Sequence, residues 1–211
     1  MMPITHFVPS SVVTNAIAQA GTTASDIASN SGDYIWLSDP SRSQSVAQSV
    51  MATQEPGIQS AYYLTTVNGK PGYVSASAPG LPAKVEATNQ YLLGALLDGH
   101  QPSVVVFGEE GTSFSDPGSN WKADHGGNSW QSQHIPLILS GPGIHAGVIS
   151  STPAQLDDLA PTILAAMGVR AIGMEGHALN SVLLGPPTNR IGRAGELAKI
   201  GPVVKALRAQ G

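Results

Sequence analysis

The chain contains no cysteine. Disulfides, thiolate metal sites and cysteine nucleophiles are therefore excluded. Charge is scarce too: Asp, Glu, Lys and Arg make up 11% of the 211 residues. A coiled coil or a solvated disordered chain carries far more. Net charge is −4, and the 10 basic residues are scattered through most of the chain. The absence of a basic face argues against a nucleic-acid binder. No apolar run reaches the ~18 residues of a membrane span. The opening MMPITHFVPSSVVTNAIAQAG has neither the basic start nor the dense apolar stretch of a signal peptide, so it reads as a poor one: cytoplasmic as written, with the compartment itself unassigned.

Apolar residues form 41% of the chain, with 24 glycines and 16 prolines. That composition suits many loops on one buried scaffold, and the length allows one sizeable core. A single α/β domain is expected over residues 1–185, with a loop-rich stretch at 1–32 and a helical tail at 186–211. In the tail Leu197, Ile200, Val204 and Leu207 share one helical face.

Local patterns place the elements. Ser11–Ala20 suits a short helix. YIWL, Tyr34–Leu37, reads as a strand closed by Asp39-Pro40. A helix follows from Ser41, with Val46, Val50 and Met51 on one face, and Pro56-Gly57 ends it. IQSAYYLTTV, Ile58–Val67, reads as a strand and Asn68-Gly69 as a tight turn. Residues 70–82 read as loop. Val85, Leu92, Leu93 and Leu96 mark a helix over 84–97. SVVVFG reads as a strand buried on both faces, and HIPLIL, His134–Leu139, as its buried neighbour. A final helix covers about Leu156–Met167. Between the last two strands lies a polar, Gly-rich loop, 108–133. Ligands of such sheets sit beyond the carboxyl ends of the strands, and long loops there are usually functional.

Inside that loop stands ADHGG. Asp and His are both good ligands for zinc and acceptable for manganese, and a glycine turn lets neighbours converge on one ion. A polar turn whose Asp caps a backbone N–H is the plain alternative. The order ADHGG, QHIPLILSGPGI, LDDLAPTILAAMGV and GMEGHAL resembles the C-terminal half of the alkaline phosphatase superfamily, which includes phosphodiesterases, phosphonate hydrolases and sulfatases. The resemblance spans about Val104–Leu184. It implies a layered αβα sheet and hydrolysis of phosphate, phosphonate or sulfate esters. It also implies Asp124 and His125 as ligands of a divalent metal, zinc or manganese. His134 is a candidate third ligand, and Lys122 a candidate contact for an anionic substrate.

The family's opening strand, its metal-binding aspartate and its Thr or Ser nucleophile have no counterpart here. The chain is therefore expected to be a partial, C-terminal version with weak or altered activity. Two ligands predict weak metal binding. An uncovered sheet edge predicts a homo-oligomer. An alternative is a metal-independent serine carboxylesterase, with Ser129 in GNSWQ or Ser113 in GTSFS as nucleophile and His125 or His134 as base. A non-catalytic interaction domain is a third reading. Asp157-Asp158 reads as the charged opening of a helix. Glu109-Glu110 stand where a catalytic carboxylate could sit, although adjacent loop acids are usually solvated.

Overall fold

The computed structural model describes residues 2–185, apart from 78, 119, 121, 125 and 126. The side chains of Met2, Pro3, Ala24, Asp124, Trp130 and Gln131 also lie outside the described set, as does the expected helical tail. The sequence pattern marks no break before 185, yet the chain divides into two compact units, the first ending at His134 and the second starting at Ile135.

The first unit opens with two short strands, β1 (Met2–Pro3) and β2 (His6–Phe7), and helix α1 (Ser10–Gln19). Then come β3 (Ile27–Asn30), β4 (Tyr34–Leu37), α2 (Ser43–Ala52), β5 (Ile58–Val67), β6 (Lys70–Ser75), α3 (Ala83–Gly94) and β7 (Val104–Gly108). The sheet order is β3-β4-β7-β5-β6, and every neighbouring pair is antiparallel. Its centre is β7, the VVVF run. Alternation along β7 sends Val104 and Val106 into one core and Val105 and Phe107 into the other. The first core takes Val13, Ala16 and Ile17 of α1 and Val46, Ala47 and Val50 of α2. The second takes Leu92 and Leu93 of α3, with Tyr62 and Tyr73. Helices thus cover both faces, because a sheet buried on both sides needs an apolar layer on each.

Two loop expectations are corrected. Residues 70–82 were read as loop, but β6 forms a hairpin with β5, pairing Val67 with Lys70. Asn68 and Gly69 both have positive φ, 51° and 79°, as a two-residue hairpin turn demands. Pro71 and Gly72 obscure the strand, and Pro is tolerated because β6 is an edge. The stretch 1–32 likewise holds β3, the other edge, which pairs with β4. β3 is short, polar and mostly exposed. Both edges therefore carry features that discourage strand addition.

In the second unit, HIPLIL does not form the expected buried strand. Ile135, Leu137 and Ile138 are exposed, Ile138 at 86%. Pro136 has no N–H for a ladder, and no described strand pairs with the segment. The unit is organised around α5 (Leu159–Ala166; the intervening α4 is described below) and the 3₁₀ turn Leu156–Asp158 before it. Asp158, nearly fully buried, accepts from the backbone N–H of Gln155 (2.9 Å) and His177 (2.8 Å). Thr162 accepts from the Leu179 N–H at 3.0 Å. Thus the DLAPT and GMEGHAL segments are joined by buried side chains. Gly176 makes the junction possible: a Cβ there would stand 2.0 Å from the Asp157 carbonyl oxygen.

Candidate functional site

The carboxyl end of β7 opens into a tight turn. Glu109 N–H donates to the Gly57 carbonyl (2.7 Å) and Thr112 N–H to the Glu109 carbonyl (3.0 Å). The chain then forms β8 (Thr112–Ser113), which runs parallel to β2. Further on, β9 (Ala123–Asp124) pairs with β1, Met2 opposite Asp124. The N-terminal residues thus strap the long loop at two points. A one-turn helix, α4 (Trp130–Gln133), closes the loop.

Between the β7 turn and α4 lies a cleft of ≈ 330 Å³. Phe107–Thr112 line one side and Gly127–Ser129, Ser132 and Gln133 the other. Three carboxylates, Asp33, Glu109 and Glu110, line it, and no Lys or Arg is among its described lining residues.

A chain of buried amides and hydroxyls supports the second wall. Asn128, 4% exposed, donates to Asn89 Oδ1 (2.6 Å) and Gln59 Oε1 (2.9 Å). Asn89, fully buried on α3, donates to the Tyr62 hydroxyl (3.1 Å) on β5. Tyr62 donates to Glu86 Oε2 (2.7 Å), and Gln90 donates to Glu86 Oε1 (2.8 Å). Burial, reinforced by the Glu86 carboxylate, pushes the Tyr62 hydroxyl well above the usual tyrosine range. None of these residues was singled out from the sequence. One signal was present: Asn89 falls on the same helical face as Val85, Leu92, Leu93 and Leu96. A lone amide on an apolar stripe marks a buried polar contact. Nothing local marks Asn128.

The candidates from the sequence fall as follows. Asp124 is placed by its backbone in β9, while its side chain and His125 lie outside the described residues. His134 is exposed at the close of α4. Lys122 is exposed, two residues before Asp124. Among the described residues no group of three His, Asp or Glu side chains is placed to hold a metal ion. Ser129 lines the cleft, its hydroxyl donating to Ser132 Oγ (3.1 Å) and accepting from the Ser132 N–H (3.3 Å), as a helix-opening serine does. Ser113 is 1% exposed and shares a 2.8 Å hydroxyl contact with Ser115, so its oxygen is closed off from solvent.

Comparison with known proteins finds similarity to arylsulfatase K of Danio rerio, 43% identical over 49 residues. The match covers 23% of this chain and 9% of that protein's length. A stretch of the chain is therefore sulfatase-like. No protein-family model matches, and no solved structure matches.

Proposed function

We propose that the chain is an ester hydrolase of the alkaline phosphatase superfamily type, acting on sulfate, phosphate or phosphonate esters at the cleft beyond β7. The carrying observation is where the two ends of the Asp-His-Gly-Gly segment, Asp124 and Gly127, lie. Asp124 is paired into β9 at one end, and the cleft wall begins at Gly127. Gly127, three residues after Asp124, thus lines the cleft that follows β7. Similarity to an arylsulfatase favours a sulfate ester.

The lining sharpens this reading. Asp33, Glu109 and Glu110 repel an anionic ester unless a cation comes between them. Asp124 and His125, with His134 as candidate third ligand, would hold a zinc or manganese ion, which would supply that charge as a Lewis acid. Lys122, exposed two residues before Asp124, adds a positive charge beside the same strand. The Asn128 amide holds the wall, and Ser129 opens its short helix.

The test is hydrolysis of p-nitrophenyl sulfate, phosphate and acetate by the full chain, with and without a chelator. Cleavage of the sulfate or phosphate that disappears with chelator is expected. Acetate cleavage that survives chelator would transfer the role to a serine, and inertness toward all three would end the hydrolase reading.

A further inference from the structure

We infer that Asn128 is a positioning residue for this cleft, acting through Asn89 and Gln59 to hold the Gly127–Gln133 turn in its working pose. The inference rests on the cleft being the hydrolytic site.

The segment is held from two directions. On one side β9 pairs with β1 through Ala123 and Asp124. On the other, Asn128 is plugged into the gap between β5 and α3, where its amide donates at 2.6 and 2.9 Å to two side-chain acceptors. The chain crosses from Asp124 to Asn128 through three residues, each advancing at most ~3.6 Å. Asp124 and Asn128 are therefore anchored within about 14 Å of each other. C-terminal to Asn128, Gln133 closes the turn by donating to the Gly127 carbonyl at 2.5 Å and to the Ser129 carbonyl through its backbone N–H at 3.0 Å. The turn is therefore tied to Asn128, whose buried amide attaches it to β5 and α3.

The chemistry of the socket explains why an amide is needed. Gln59 Oε1 and Asn89 Oδ1 are both acceptors, so the incoming group must donate twice. Asn89 spends its own donors on Tyr62 and, at 3.4 and 3.5 Å, on Ser60 and Gln59. Tyr62 spends its proton on Glu86. Without the Asn128 NH₂, the Asn89 oxygen loses its donor.

Three variants of the full chain test this: Asn128→Ala, Asn128→Asp and Asn128→Ser. Two readouts are followed, amide hydrogen exchange and hydrolysis of the best p-nitrophenyl ester. Asn128→Ala should speed exchange of Gly127–Gln133 by about ten-fold or more while the β5 and β7 amides hold. Its kcat should fall about 10–100-fold, as loss of an outer support does, with KM little changed. Asn128→Ser keeps one donor and should recover part of both. Asn128→Asp keeps the shape but aims a carboxylate at two acceptors, so near neutral pH it should be worse than alanine. On acidification its carboxyl, raised by burial, protonates and donates, and protection from exchange should partly return. An Asp variant milder than Ala, or deprotection spread equally over β5 and β7, would overturn the inference. If the wild type cleaves no ester, the hydrolase reading falls, and the exchange pattern alone then decides the positioning role.

Discussion

At the residue scale, the Asp124-His125 pair and the buried tyrosines carry separate predictions. The pair supplies two ligands and the candidate third, His134, is exposed beyond α4, whereas a zinc site ordinarily takes about three fixed ligands from the protein. Calorimetric titration with zinc and manganese should therefore show weak binding that His125→Ala removes. Tight one-to-one binding unaffected by that substitution would place the metal elsewhere. Tyr62 and Tyr73 are raised well above the ordinary value near 10, chiefly by burial. Folded chains keep these protons where unfolded chains release them. Their contribution is thus fully present below about pH 10 and is lost as pH rises toward the folded values. Urea midpoints should fall steeply above about pH 10, and less steeply in Tyr62→Phe. A midpoint independent of pH in that window would contradict the burial of both hydroxyls.

At the element scale, two glycines decide whether an element forms. Gly69 has φ of +79° with nothing within 4 Å of where a Cβ would stand. Gly69→Ala therefore meets only backbone strain, about 1–2 kcal/mol, and should lower the denaturant midpoint modestly. Gly176 is the opposite case: its position is set by space. Gly176→Ala drives a methyl into the Asp157 carbonyl and separates the 3₁₀ turn from His177. The cost should reach about 3 kcal/mol, the upper end for overpacking. Thermal melts of the two variants should rank Gly176→Ala as the more damaging. Equal effects would mean that the 156–158 turn yields freely.

At the scale of the whole molecule, exposed apolar side chains are unevenly distributed. Among the described residues all the large exposed ones except Val67 and Leu97 lie beyond residue 134. Ile149 is 99% exposed, Ile172 76% and Met167 70%. Side chains so exposed favour association. The polar β3 edge and the Pro71-bearing β6 edge do not supply this drive, so of the two grounds for association, apolar surface and an open edge, the apolar surface carries it. Light scattering at micromolar concentration should give a mass above the 21.6 kDa of one chain. Ile138→Lys with Ile149→Lys should lower it. A single-chain mass for the wild type would show that these side chains are covered in some other way.

The sequence by itself determined the central elements of the first unit. α1, β4, α2, β5, α3 and β7 follow from apolar runs and helical spacing, which act within about a dozen residues and need no partner to be recognised. The Asn68-Gly69 turn was equally legible, because positive φ is a local requirement. The rim loop was also visible, through its length and its place after VVVF. Tertiary structure decided the rest. β3 and β6 are polar, short or broken by Pro71, and they are strands only because β4 and β5 offer them backbone partners. HIPLIL carries a stronger strand pattern than either, yet stays unpaired, since a ladder needs a neighbour as well as an apolar run. The strapping of 108–124 by residues 2–8 and the seating of Asn128 against Asn89 join positions far apart in the chain. Hydrogen bonds of that kind leave no local periodicity, so the geometry of the cleft arises only when the chain has folded.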